Sequence, residues 1–397
     1  MKRVLVLDAM QRSALAAVRS LGRKGVHVLT ADTEPSSLAG ESRYSQQYLS
    51  YPPPASRADE FISRIAAICR EHEVGMILPM TELTGYLLAA DRKKLTGVDI
   101  PLPDLTIIEQ LSDKCVLLQL ADRLGVPCPR TWRSEVPGRM PDSHDELPWP
   151  LVLKPCRSWL QSGEDWLNTG VRFASTPKEA AAVLTSDRSF SVGSFMVQEH
   201  VPGTGYGIFA LYNRGTPLAF FAHRRIREKP PRGGVSVLSE SISPDPDLLR
   251  HARALLDHVG WHGVAMVEFR VADDGRAWLM EVNTRFWGSL QLSVDAGIDF
   301  PWLLYRASSN SEIEVIDDGR IGNRLRWLLG DLDSLYLTLR DAEFTRGEKL
   351  RALGRFLRPS LTRTRHEVNR WNDLRPFFWE LRRYIADLSR PPSQEKG

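Results

Sequence analysis

The sequence predicts an α/β protein in three parts: an N-terminal parallel sheet covered by helices, a larger central unit, and a basic helical tail. Three observations carry this expectation. Over residues 1–105 strand-like and helix-like stretches alternate, as a parallel sheet with crossover helices requires. Asp274-Gly275 stands between two apolar-alternating runs and reads as a hairpin turn. From Arg346 to Gly397 the charge balance shifts to 13 Lys/Arg against 6 Asp/Glu, with apolar residues at helical spacing.

The elements follow in order. Val4–Leu7 reads as a buried strand, Ser13–Leu21 as a helix closed by Gly22 or Gly25, and His27–Thr30 as a second strand. Phe61–Arg70 is amphipathic, and Met76–Pro79 is a further strand leading into Thr81-Glu82. The first turn, Leu7-Asp8-Ala9-Met10-Gln11-Arg12, lacks G-x-G-x-x-G, which disfavours NAD. Ligands in such sheets still bind at the carboxyl ends of strands, so Asp8, Thr81 and Glu82 are candidates for a substrate-facing edge, with helix capping as the competing role. Pro101-Leu102-Pro103 marks a boundary, followed by a helix from about Leu111 to Leu124, a loop over 131–148, and a strand Leu151–Lys154 ended by Pro155. Residues 156–170 read as a mobile loop able to close over a ligand, Met196–His200 and Gly207–Tyr212 as strands, and Arg225–Gly234 as a loop. Leu248–Val259 and Ser289–Ala296 read as helices, the second closed by Gly297.

Bulk composition bounds the function. With 397 residues, 42% hydrophobic content and 25% charge, the chain resembles an ordinary globular protein of two or three domains. Its net charge of +3 gives no grounds for a nucleic-acid partner, and none is expected. No apolar run approaches the roughly 20 residues that span a bilayer, and the N-terminal apolar stretch is too short for a signal peptide. Cys69, Cys115, Cys128 and Cys156 show no Cys-x-x-Cys spacing and read as reduced thiols of a cytoplasmic protein; zinc is not expected. The basic tail suggests either a membrane surface or acidic partner, or a helical appendage whose arginines pair within the protein; Trp327, Trp371 and Trp379 argue that it docks.

A two-residue Asp-Gly turn pairs 273 with 276, so that Glu268 falls opposite Glu281, with Asn283 on the same face. Carboxylates so placed have Cβ atoms about 4.5–5.5 Å apart and repel. A hard divalent cation would relieve that repulsion, usually in company with substrate phosphates. The competing reading is a solvated sheet face. Around the hairpin stand Lys114 at a helix start, Lys154 at a strand end, the strand Val197-Gln198-Glu199-His200-Val201 running into Pro202-Gly203, and Arg285. Cations for phosphate, carboxylates for metal and an arginine for developing charge are what phosphoryl transfer needs.

These motifs, in this order over residues 1 to about 310, resemble the ATP-grasp superfamily of carboxylate–amine ligases, including the carbamoyl-phosphate-synthase large subunit. The resemblance rests on Asp113-Lys114, Leu151-Val152-Leu153-Lys154-Pro155, Gln198-Glu199-His200-Val201-Pro202-Gly203, and Glu268-Phe269-Arg270 with Glu281-Val282-Asn283-Thr284-Arg285. It implies a pre-ATP-grasp domain over 1–110, an ATP-grasp unit over 111–310 hinged near 198–203, and a helical extension over 311–397. It implies ATP and Mg²⁺ (or Mn²⁺) as cofactors. Lys114 and Lys154 would bind phosphates, and Gln198, Glu199, His200 and Val201 would meet the adenine. Glu268, Glu281 and Asn283 would hold metal, and Arg285 would contact the transferred phosphoryl group. The run Phe221-Ala222-His223-Arg224-Arg225 … Gly233-Gly234-Val235-Ser236 resembles the segment that approaches the phosphoryl acceptor; only one of Arg224 and Arg225 can face it, and Arg225 lies nearer the loop. The acid that commonly holds the ribose hydroxyls is missing, its places being taken by Tyr206 and Gly207.

The function implied is an ATP-dependent ligase that activates a carboxylate as an acyl phosphate for attack by an amine. A kinase-like phosphotransferase and a weakly catalytic nucleotide-binding module are the alternatives, and a homodimer is left open.

Overall fold

A computed structural model describes residues 2–134, 136–141, 147–231, 233–309, 313–358 and 364–389. The N-terminal sheet is wholly parallel, in the order Gln47–Ser50, Val28–Asp32, Arg3–Val6, Val74–Leu78. Arg3–Val6 at its centre is apolar beyond its first residue because both faces are covered, by helix Arg12–Arg23 on one side and Ala58–Glu71 on the other. Edge strand Gln47–Ser50 has no sequence expectation. It is polar and half exposed, and so lacks the hydrophobic run that marks its neighbours.

Two further sheets follow, antiparallel throughout except for the last strand pair of the second. One has the order Thr131–Ser134, Phe195–Glu199, Leu151–Pro155, Arg172–Ala174. The other has seven strands: Ala277–Asn283, Gly263–Val271, Thr204–Asn213, Thr216–Lys229, Val235–Ile242, Arg324–Arg326 and Thr364–His366. Its covered faces carry the largest buried side chains, among them Phe209, Trp261, Phe269 and Trp287.

Several loop expectations are corrected. Thr131–Ser134 is a strand paired with Phe195–Glu199, its short β-branched and aromatic pattern being masked by the prolines and glycine beyond it. Residues 142–146 of the expected loop lie outside the described residues. The segment 156–170 contains a hairpin, Trp159–Ser162 with Asp165–Asn168, turned at Gly163 with φ +68°. The hairpin leans on the N-terminal domain through Trp166 N–H to Ala55 O at 2.7 Å and the Tyr86–Trp166 ring contact at 5.1 Å. The strand Thr216–Lys229 runs through half of the expected 225–234 loop, because its charged side chains find ion-pair partners on neighbouring elements. The expected helix Leu111–Leu124 is two helices, Leu105–Ser112 and Lys114–Arg123, since the Asp113 carboxylate accepts from Cys115 N (3.0 Å) and Val116 N (3.2 Å) and restarts the helix. Cys115 and Cys156 form a disulfide, correcting the expectation of four thiols; Cys69 and Cys128 are free.

The tail is packed into the fold. Helices Arg346–Leu357 and Arg375–Leu388 flank Thr364–His366, which extends the large sheet in parallel with Arg324–Arg326. The Arg19 guanidinium, 1% exposed, donates to Asp373 at 2.8 Å and to the carbonyls of Glu367 and Val368. Arg370 pairs with Asp295 at 2.6 Å. Several tail arginines therefore pair within the protein. Residues 359–363 and 390–397 lie outside the described residues. No described helix is long and apolar enough to cross a membrane.

Candidate functional site

Hairpin 267–283 places its glutamates opposite each other by a different route from the one expected. The turn is not two residues long. Ala272 N–H donates to Arg276 O (2.8 Å) and Gly275 N–H to Ala272 O (3.0 Å), with Gly275 at φ +86°, leaving the three-residue loop 273–275. Val271 then pairs with Ala277 and Phe269 with Leu279, one residue out of the expected register. A bulge at Met280 absorbs the difference, and Glu268 faces Glu281 after all.

Glu268, Glu281 and Asn283 line one cavity of about 650 Å³, together with Lys114, Lys154, Gln198, Glu199, His200, Val201, Arg225 and Arg285. Of the residues singled out from sequence for catalysis, nucleotide or metal, Arg224 stands apart. Its guanidinium pairs with Glu240 at 2.6 Å, and Glu240 also takes Arg324. Arg225, one step along the strand, points to the cavity and pairs with Glu268, Glu228 (3.1 Å) and the Gly234 carbonyl (3.0 Å). Gly205 makes this crossing possible, because a Cβ there would sit 2.9 Å from Arg225 Cδ.

The electrostatics follow from burial and opposed charges. Burial raises the Glu268 pKa, and the neighbouring Glu281 carboxylate adds to the rise against the pull of Arg225. Burial works against Glu281 as well, but Lys114 (Nζ–Oε2 3.6 Å), Lys154 and the Asn283 amide (Nδ2–Oε1 3.1 Å) outweigh it and hold its pKa low. Lys154, 9% exposed, has its pKa lowered to about 8, chiefly by burial. Lys114 is held at the first turn of its helix, its N–H donating to Cys156 O (2.7 Å) and its ammonium to Ser158 Oγ (3.2 Å). The Cys115–Cys156 disulfide thus joins the helix start bearing Lys114 to the strand end bearing Lys154.

Along the strand Phe195–Glu199, the Gln198 side chain donates to Thr131 Oγ1 (3.0 Å), and the Glu199 carboxylate accepts from Arg130 N (2.9 Å) and Nε (2.8 Å). Of the two positions expected to hold a ribose-binding acid, Tyr206 packs with the core on the opposite side of the sheet, and Gly207 has no side chain to offer. Of the N-terminal candidates, Asp8 is buried and structural: its carboxylate accepts from Met80 N (2.8 Å), Thr81 N (2.9 Å) and Thr84 Oγ1 (2.6 Å). Thr81 caps helix Glu82–Ala90. Glu82 differs. Burial raises its pKa, and Lys114, Arg285 and Glu281 are the charges that act on it.

Sequence reasoning gave no role to Arg12, His223, Arg270 or Ser289, which also line the cavity. Arg12 pairs with Glu367 of the tail and lies over the Trp327 ring at 4.0 Å. The tail therefore reaches the wall of the cavity. His223 is buried, its pKa lowered to about 3 by burial, and its Nδ1 lies 3.1 Å from Ser289 Oγ. Its place in the run 221–225 was its one available signal, and that of Arg270 was its period-two step from Glu268 on the same strand; Arg12 carried none.

Two facing carboxylates and an amide oxygen form a donor set suited to a hard divalent cation. The lysines and arginines around them suit phosphate.

A family model described as "ATP-grasp in the biosynthetic pathway with Ter operon" matches residues 191–328. Biotin carboxylase from Campylobacter jejuni superposes with a TM-score of 0.64 at 17% identity, over 82% of this chain and 74% of that one. The fold is ATP-grasp. The chain is also similar to L-amino acid ligase from Bacillus licheniformis, with a TM-score of 0.61 and 16% identity over 79% of this chain and 75% of that one. A third neighbour is the biotin carboxylase domain of Hydrogenobacter thermophilus 2-oxoglutarate carboxylase, solved with MgADP, ADP and bicarbonate. It has a TM-score of 0.62 and 15% identity over 82% of this chain and 73% of that one. No curated protein sequence matches the chain.

Proposed function

We propose that the protein is an ATP- and Mg²⁺-dependent ligase that activates a substrate carboxylate as an acyl phosphate and passes the acyl group to an amine. The observation that carries this reading is the meeting of Glu268, Glu281 and Asn283 with Lys114, Lys154 and Arg285 around one cavity. The neighbours named as a ligase and as carboxylases, one of them holding MgADP, support the same class.

Lys114 and Lys154 hold the phosphates, and Lys154 does so from a buried position where its charge is weakly screened. Glu268, Glu281 and Asn283 would hold the metal, which supplies neutralisation of charge on the phosphate oxygens. Arg285 steadies the charge that develops as the carboxylate oxygen attacks the γ-phosphorus and ADP leaves. Arg225, which lines the cavity beside Glu268, is placed to contact the acyl phosphate. Attack of the amine on the acyl carbon then expels phosphate. The hairpin 159–168, seated against the N-terminal domain, lies beside Lys114 through Ser158 and restricts water on that side.

The test is ADP release against pooled carboxylates and amines, followed by mass analysis of the product. A condensed product is expected, with Glu281→Gln and Asn283→Ala each lowering turnover about a hundredfold or more while the circular dichroism spectrum is unchanged. Full activity in Glu281→Gln, or a phosphorylated product that accumulates beside abundant amine, would overturn the ligase reading.

A further inference from the structure

A second cavity, of about 510 Å³, lies between the large sheet and the tail helices Leu328–Arg340 and Arg346–Leu357. It adjoins the first: Arg225 and Arg270 border both. Its apolar wall comes from Leu335, Phe344 and Phe356. Its charges do not balance. Five arginines (225, 227, 270, 351, 355) line it against three carboxylates (Glu228, Asp331, Glu348).

Every one of those carboxylates is already engaged. Asp331 takes Arg227 at 2.6 Å and Arg326 at 2.6 Å. Glu228 takes Arg225 at 3.1 Å. Glu348 closes a capping box with Thr345, accepting from its backbone N–H at 2.8 Å and its hydroxyl at 2.7 Å. Arg270, Arg351 and Arg355 have no ion-pair partner among the described residues, and Arg270 Nε is buried without a hydrogen bond. A buried guanidinium nitrogen left unpaired costs free energy unless something anionic comes to it. Three unpaired arginines lining a concave site of this size, Arg351 and Arg355 from its exposed rim, match a small molecule bearing phosphate or several carboxylates.

We infer that this cavity is a second binding site, for a compact polyanion distinct from ATP, with Arg270, Arg351 and Arg355 as its cationic wall. Because Arg225 borders both cavities and holds Glu268, an anion bound here competes for the guanidinium that otherwise neutralises that carboxylate. The basic tail supplies two of the three arginines from one helix.

The experiment is calorimetric titration of the full chain with inorganic pyrophosphate and, separately, with citrate, after saturation with a non-hydrolysable ATP analogue. One probe or both should bind, and the double variant Arg351→Ala with Arg355→Ala should weaken that binding at least tenfold while changing affinity for the ATP analogue less than twofold. Binding of pyrophosphate alone assigns a phosphate ligand, and binding of citrate alone a polycarboxylate. Absence of binding by either probe up to about 10 mM, or equal binding by the double variant, overturns the inference. Should the ATP analogue itself fail to bind, the nucleotide reading falls. The same titrations on analogue-free protein, compared between wild type and double variant, still decide the second site.

Discussion

Replacing Lys154 by Met tests the site most directly, because opposite effects on stability and on ATP binding are expected. The folded chain lowers the Lys154 pKa from 10.5 to about 8, chiefly by burial, and this shift already includes the attraction of Glu281 and Glu268. At about 1.4 kcal/mol per unit, holding the ammonium charged in the fold costs about 3 kcal/mol at neutral pH. In the unfolded chain the lysine keeps its proton to higher pH, so from about pH 8 to 10.5 unfolding takes up a proton and stability rises with pH. The cost is present in full below that window and gone above it. Lys154→Met should therefore stabilise the protein at pH 7 by about 1–3 kcal/mol, less than the whole because Glu281 loses a counter-charge. The advantage should vanish near pH 10.5. Bound phosphates reverse the balance and raise the lysine pKa. At pH 8.5 about three-quarters of the free protein has Lys154 neutral, so ATP binding should take up roughly that fraction of a proton. Calorimetry in two buffers of different ionisation enthalpy measures this uptake, and urea unfolding at pH 7 and 10.5 measures the stability. A Met variant less stable than wild type at pH 7, or wild-type ATP binding without proton uptake, would refute the reasoning.

Asp373→Asn leaves the Arg19 guanidinium buried without its counter-charge and should cost about 3–5 kcal/mol, read as a fall in the urea midpoint. A loss below about 1 kcal/mol would mean that the tail is dispensable to the fold. Gly205→Val puts a side chain where a Cβ already meets Arg225 Cδ at 2.9 Å, and it should displace Arg225 from Glu268. Turnover is expected to fall about tenfold or more, with a stability loss of about 1–3 kcal/mol. Unchanged turnover would remove Arg225 from the reaction.

Much of the α/β architecture was legible because its strands are buried on both faces and read as plain apolar runs, as in Val4–Leu7. Strand Gln47–Ser50 was not, since an edge strand need not be apolar. The hairpin shows how local chemistry can name the right neighbours for an incomplete reason. Asp-Gly marked the turn, yet the pairing of Glu268 with Glu281 depends on the bulge at Met280, which no turn rule supplies. Period-two alternation did place Arg225 and Arg224 on opposite faces. Arg12 and Glu367 were silent, because they reach the cavity or their partner from elements distant in sequence and carry no local pattern, whereas Arg270 follows Glu268 by one period-two step on its strand and was passed over. The disulfide was invisible for the same reason: its cysteines are 41 residues apart and meet only when a helix start packs beside a strand end.

The Arg19–Asp373 contact spans 354 residues of chain. A ribosome adding about 5–20 residues each second needs roughly 20–70 s to cover that distance. Through that interval the first helix can cover its sheet, yet the guanidinium on its outer side has only water to answer it. The N-terminal unit of a nascent chain is thus complete in backbone long before it is complete in charge, and its last stabilising partner arrives only as the tail is made.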